Sequence, residues 1–246
     1  MSESMALGDK FLSLQNNDFN NCIAFLKELK VNQDVFAGDS LALLKNAHQI
    51  AFTMGLWVQK MTEIPEWDKP YLQQLKVDSV QLLPSIILGN RRTLHLYERA
   101  CIEDFLRYFY YFDHKIEHIL LQSSPTKFQT VEFLINWIKD YPLLSGCEKS
   151  VIQSCNSLTS GYKELSRTVH GTIISKINLG DNLADLFTPI QDSRKDRALM
   201  RLIFGNIFFL FAIFHFNFYR GFTFDEMKLV CQHLTDKQKR IISEIE

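Results

Sequence analysis

Hydrophobic residues recur at intervals of three or four along most of the chain, with polar residues between them. The stretch from Leu41 to Val58 illustrates this spacing, because its apolar positions lie on one face when the segment is drawn as an α-helix. Gly and Pro, which would separate short strands, number only 10 and 6 in 246 residues. The pattern therefore predicts an all-α fold, in which the helices bury their apolar faces in a helical bundle.

Capping and turn residues mark the ends of the predicted helices. Thr223 and Glu226 have the spacing of a capping box, in which two side chains bond to backbone amides at a helix start. Pro84 is expected to end or kink the helix before Gly89, and residues 172–192, rich in Gly, Pro and Asx, predict a loop. The predicted helices cover residues 18–32, 41–63, 71–83, 91–121, 126–141 (starting at Thr126 or Thr130), 145–170, 193–219 and 224–244.

The turn around Gly89 is also the best internal boundary in the sequence. We expect residues 1–89 to form an N-terminal helical extension and residues 90–246 to form the main bundle, with one continuous domain as the alternative. With 46% hydrophobic residues, the chain has enough apolar surface for a sizeable core under either arrangement.

One segment raises the question of a membrane span. Leu202 to Tyr219 contains 18 residues without Asp, Glu, Lys or Arg, and basic residues precede it. Against a span, Asn206, His215 and Asn217 would each need a polar partner inside hydrocarbon. We therefore favour a central helix buried on all sides, and a membrane-anchored effector is the less favoured alternative.

Charge and cysteine content narrow the function further. The formal net charge is −1, so no overall field draws the chain to nucleic acid or to an anionic membrane. The five cysteines are scattered and form no metal-binding pattern, which indicates reduced thiols. Residues 1–10 lack the pattern of a secretory or transit peptide. We therefore expect a cytoplasmic protein.

Two predicted helices carry polar stripes on otherwise apolar sequence. Their members fall three or four residues apart, so each stripe lies on one helix face. The first stripe comprises Arg99, Glu103, Arg107, Tyr110 and His114, and the second comprises Tyr162, Ser166 and His170. A solvated face or a hydrogen-bonded core network would explain both stripes. A cleft where an imidazole meets a guanidinium would instead suit acid–base cleavage of a phosphodiester.

The sequence around both stripes resembles a known family. The run ERACIEDFLRYFYYFDHKIE (residues 98–117), followed by YKELSRTVHG (residues 162–171), resembles helical-bundle proteins of the HEPN superfamily. The resemblance covers roughly residues 90–220. It implies a HEPN-like core and a place in a bacterial toxin–antitoxin, CRISPR or phage-defence system, where many members are metal-independent RNases.

The resemblance also implies which residues would act. The family's catalytic pair is an Arg and a His a few residues apart on one helix. Here Arg167 and His170 are closer together than that pattern, whereas Arg107 and His114 satisfy it with six residues between them. In an active member, Arg107 would hold phosphate, His170 or His114 would move the proton, and Glu103 would orient the Arg.

These expectations lead to one favoured function and an alternative. The departure of Arg167 and His170 from the family pattern favours a helical accessory subunit of an anti-phage complex, whose partners are other protein subunits or a second copy of the chain. The alternative is a metal-independent endoribonuclease acting on RNA. We expect no cofactor and no metal, because His114 and His118, one helical turn apart, lack a placed third ligand.

Overall fold

The computed structural model describes residues 10–28, 32–61, 69–124, 128–142, 146–170 and 188–245. Across these ranges the chain forms 11 α-helices and no strand, which confirms the all-α helical bundle. The helices are α1 (Lys10–Glu28), α2 (Gly38–Lys60), α3 (Lys69–Ile87), α4 (Arg91–Asp113), α5 (Lys115–Ser123), α6 (Val131–Lys139), α7 (Glu148–Val169), α8 (Ser193–Phe214), α9 (Phe216–Arg220), α10 (Phe224–Cys231) and α11 (Asp236–Glu244), with a short 3-10 helix at Gln33–Phe36.

Two predicted long helices are each broken at a histidine. His114, with φ −113° and ψ 56°, separates α4 from α5, and its Nδ1 lies 2.7 Å from the carbonyl oxygen of Tyr110. His215, with φ −108° and ψ 44°, separates α8 from α9, and its Nε2 lies 2.6 Å from the hydroxyl of Tyr108. The prediction of single helices was wrong here because the apolar spacing continues across both breaks.

Two other helix ends also differ from the prediction. Helix α1 begins at Lys10, ahead of the predicted start at residue 18, and the Asp18 carboxylate lies 2.7 Å from His48 Nε2 on α2. Pro84 does not end α3, which continues to Ile87 with Pro84 in its last turn. The stop comes at Gly89, whose φ of 67° is a left-handed conformation that favours glycine.

Threonine caps begin three of the helices. The Thr223 capping box is confirmed at α10, and Thr130 caps α6 by accepting a hydrogen bond from the amide of Phe133. Thr126 and Ser145, the other predicted starts, lie outside the described residues. A second capping box, at Thr235, begins α11 and divides the predicted terminal helix in two.

The core is centred on α8, where aromatic rings from three helices meet. Phe211 is fully buried; its ring stacks on Trp57 of α2 with centroids 5.4 Å apart and contacts Phe105 of α4 at 5.1 Å. The same hydrophobic cluster includes residues on both sides of Gly89. The division at residue 89 stays a prediction, but the core itself is shared by both parts.

Helix α8 is also the segment that raised the membrane question. It is long and apolar enough to cross a membrane, with a mean hydropathy of 1.8, yet 67% of that window is buried inside the bundle. Asn206, expected to be costly in hydrocarbon, donates to the Leu202 carbonyl and accepts from Gln238 of α11. This is the position of the core helix of a soluble bundle.

Candidate functional site

The two polar stripes meet where α4 packs against α7. Glu103 lies at the centre: its Oε1 accepts hydrogen bonds from Arg99 Nε at 3.0 Å and from the Tyr162 hydroxyl at 2.9 Å. Its Oε2 accepts from Arg107 at 3.0 Å. The Arg99 guanidinium also lies over the Tyr162 ring, 5.0 Å from the centroid. One carboxylate therefore holds two guanidinium groups and a phenol.

His170 joins this network through Arg99. It follows the last residue of α7 and is exposed, and its Nε2 lies 2.9 Å from Arg99 Nη1. Since a guanidinium only donates, Nε2 accepts this hydrogen bond and the ring proton lies on Nδ1. Glu103, Arg107 and His170 thus belong to one hydrogen-bonded cluster, which we call the Glu103 network, with Arg99 and Tyr162 as its connecting members.

His114, the other histidine expected to move a proton, has different neighbours from His170. Its ring stacks on Tyr110 with centroids 4.0 Å apart and contacts Trp137 edge-on at 5.3 Å, where α4 ends. Its described contacts are those of a helix-terminating residue, and none is with the Glu103 network. Arg99, by contrast, was visible in the first stripe by its spacing but was not among the expected catalytic residues.

Asp104 gives the network a charge that varies near neutral pH. Its Oδ1 accepts from Arg107 Nη1 at 3.3 Å. Burial raises the pKa of Asp104 to about 7, an effect that Arg107 opposes and the neighbouring Asp78 carboxyl reinforces. When Asp104 is protonated, Glu103 alone balances the two guanidinium groups, so the network carries a net positive charge.

A second polar cluster, which sequence reasoning missed, lies at the N-terminal end of α4. Arg91 donates to Asp196 at 2.7 Å and to Asp192 at 2.9 Å, and His95 Nε2 lies 3.2 Å from Asp196 Oδ1. Glu98 is fully buried beside them, and neither of its oxygens has a hydrogen-bond partner among the described residues. Burial, reinforced by the Asp196 charge, raises the pKa of Glu98 well above its ordinary value.

The described residues contain no group of three or more His, Cys, Asp or Glu side chains that could hold a metal ion. His114 and His118, which are one helical turn apart in the sequence, have different contacts. His114 bonds to the Tyr110 carbonyl, whereas His118 is buried against Tyr71.

The fold and site define an all-α bundle with a partly exposed Arg–Glu–Tyr–His network on two adjacent helices. No protein-family model, curated protein or solved structure matches this chain. The HEPN resemblance therefore stays a prediction drawn from residues 98–117 and 162–171.

Proposed function

We propose that the chain is a helical interaction subunit that docks onto another protein through the outer face of α5. Ile116, Ile119 and Leu120 lie on this face with exposed fractions of 73%, 55% and 44%. Their spacing of three and four residues is that of the anchors of a helix that inserts into an apolar groove. We call these three side chains the α5 ridge; this exposed ridge carries the proposal.

The other side of α5 explains why the ridge faces outward. His118 is buried and packs against Tyr71 and Tyr111, with ring centroids 5.5 Å apart in each pair. Burying the imidazole fixes the rotation of the helix and leaves both isoleucines exposed to solvent. Exposed aliphatic side chains clustered on one helix are typical of protein contact sites.

A further apolar side chain is exposed on α6, the next helix along the chain. Phe133 is 44% exposed and contacts Tyr110, whose ring stacks on His114 immediately before α5. The exposed α5 ridge suits a partner that presents an apolar groove. A second copy of this chain is the other occupant that the experiment below distinguishes.

Replacing two ridge residues should abolish the complex. We expect the tagged native chain to copurify with a stoichiometric partner from its host, and the double variant Ile116→Gln/Ile119→Gln to lose that partner. The reason is that two polar amide side chains would have to be buried in the partner's apolar groove. The free energy of unfolding should change by less than about 1 kcal/mol, since both side chains are exposed. Affinity purification and chemical denaturation measure the two effects.

Ile152→Gln is the matched control, since Ile152 is a 40% exposed isoleucine on α7, away from the ridge. It should keep the partner. Equal partner recovery from both variants would contradict docking through the ridge. If no second protein copurifies, and light scattering shows that the native chain self-associates and the double variant does not, the ridge is the interface of a dimer of this chain.

The cellular setting of this proposal comes from the HEPN resemblance. That resemblance supports a cytoplasmic accessory subunit of a bacterial anti-phage complex, and the burial of α8 supports a protein that is not membrane-anchored. In this setting the Glu103 network would hold α4 and α7 together, because its donors and acceptors largely satisfy one another.

A metal-independent RNase is the second candidate, favoured by one observation. The network combines an exposed imidazole with two guanidinium groups that are 22% and 30% exposed. In an RNase, His170 would move the proton, and Arg107 or Arg99 would stabilise the negative charge of the phosphorane. The Arg99–His170 hydrogen bond would have to break first.

RNA cleavage in EDTA tests this second candidate. If it is correct, the purified chain should cleave labelled single-stranded RNA without divalent metal, and Arg107→Ala/His170→Ala should reduce the rate at least about a hundredfold. Arg167→Ala, which removes an exposed guanidinium of the same helix end, is the control and should cleave normally. Absence of cleavage by the native chain would leave the network as a structural one.

A further inference from the structure

A polar cavity of about 150 Å³ lies between α7, α8 and α11, apart from the Glu103 network. Serine and threonine hydroxyls and the side-chain amides of Asn206 and Gln238 line much of it. Arg201 and Lys237 are its two cationic residues, and no carboxylate belongs to the described lining. The cavity therefore combines hydrogen-bond donors with positive charge and has room for a small anion.

Neither cation is paired with a carboxylate of the described residues. The Arg201 guanidinium makes no ion pair or hydrogen bond with any described residue, although most other arginines of α4 and α8 are paired. The Lys237 ammonium donates to the neutral amide oxygen of Gln153 at 2.9 Å. An exposed cation without a carboxylate partner keeps its full charge for a ligand.

Helix α11 adds a third positive element. Its capping residue, Thr235, and two residues of its first turn, Lys237 and Gln238, line the cavity. The Thr235 hydroxyl accepts from the Gln238 amide, and the other first-turn amides have no acceptor within the helix and attract anions. Gly205 of α8 allows this approach, because a Cβ there would lie 2.8 Å from the carbonyl oxygen of His233, just ahead of α11.

The Ser154 hydroxyl is an independent sign of a ligand. Ser154 of α7 is only 3% exposed, lines the cavity and makes no hydrogen bond to any described residue. Its oxygen is not among the fully buried polar atoms, so it faces the cavity, where a bound oxyanion would accept its hydrogen bond. His233, by contrast, adds no charge, because burial lowers its pKa to about 3.

We infer that this cavity is a binding site for a phosphate-class oxyanion, held by Arg201, Lys237, Ser154 and the N-terminus of α11. The site uses none of the residues of the Glu103 network or of the α5 ridge, so it stands independently of the proposed function. Its volume suits one phosphate group. That group could be free inorganic phosphate or the terminal phosphate of an RNA.

Calorimetric titration of the full chain with inorganic phosphate tests the site, with sodium chloride holding the ionic strength constant. We expect saturable binding in the millimolar range or tighter. Arg201→Gln should weaken it roughly tenfold or more, since it removes a charged hydrogen-bond donor. Ser154→Ala should weaken it by a smaller factor. A second arm compares a short RNA with a 5′-phosphate against the same RNA with a 5′-hydroxyl.

Arg240→Gln is the matched control, because it removes an exposed arginine of α11 that does not line the cavity. It should change the affinity by less than about twofold. If only the 5′-phosphorylated RNA binds and Arg201→Gln abolishes this binding, the site is supported and its ligand is the terminal phosphate of an RNA. Absence of binding in both arms, or equal weakening by Arg201→Gln and Arg240→Gln, would overturn it.

Discussion

Replacing Phe211 by alanine is expected to lower the free energy of unfolding by about 3–5 kcal/mol, the range for deleting a buried aromatic ring. Phe211 has no exposed surface and lies at the meeting point of α2, α4 and α8. Its ring contacts Trp57, Phe105, Tyr108 and Phe109, with centroids between 5.1 and 5.7 Å away. The four remaining rings cannot collapse into the space, because they are held on two different helices, α2 and α4.

Urea denaturation followed by circular dichroism measures this loss. Phe25→Ala on α1 is the matched control, since Phe25 is 59% exposed, and its cost should stay within about 0.5 kcal/mol. If Phe211→Ala cost no more than Phe25→Ala, the aromatic cluster around α8 would not be the core. A membrane-spanning α8 would give that result, so the same experiment also tests the burial of this helix.

Apolar spacing was sufficient to predict the class of fold, because most helices here are amphipathic and are limited by recognisable caps. It could not predict the breaks at His114 and His215. Each histidine lies where apolar residues continue at helical spacing on both sides, and its ring nitrogen contacts the Tyr110 carbonyl in one case and the Tyr108 hydroxyl in the other. The Tyr108 contact joins residues 107 positions apart, which no local pattern contains.

The Glu103 network could be predicted only in part, because some of its contacts lie within one helix and others join two helices. Spacing of four residues places Glu103 and Arg107 on one face of α4, so their pairing follows from the sequence. The approach of His170 depends on how α7 packs against α4. The Arg91–Asp196 pair was missed entirely, since its members are 105 positions apart and meet only when the N-terminal ends of α4 and α8 pack together.

The Arg91–Asp196 cluster also shows where charge is balanced and where it is not. Arg91 is paired with the carboxylates of Asp192 and Asp196, and no Arg or Lys of the described residues is paired with the third carboxyl, Glu98. His95 is the nearest basic group to Glu98, 4.0 Å from its Oε2. A buried carboxyl in this position is most stable when it holds a proton, because a charge there would be neither solvated nor paired.

Glu98→Gln is therefore expected to stabilise the protein increasingly as pH rises. The pKa of Glu98 is raised in the folded state above its ordinary value of 4.5 by burial, with the Asp196 charge adding to the shift and Arg91 opposing it. Between the unfolded and folded pKa values the folded chain binds more protons, so stability falls with rising pH, by up to about 1.4 kcal/mol per pH unit. Glutamine keeps the shape and cannot ionise.

The stability difference between Glu98→Gln and the native chain should consequently be small near pH 4.5 and should grow toward pH 8. Urea denaturation at each pH measures it, and taking the difference cancels the titration of Asp104, which both chains share. Glu132→Gln, an exposed change on α6, should give a difference independent of pH. A flat difference for Glu98→Gln as well would mean that Glu98 is ionised in the folded protein, with Arg91 or His95 supplying the compensating charge.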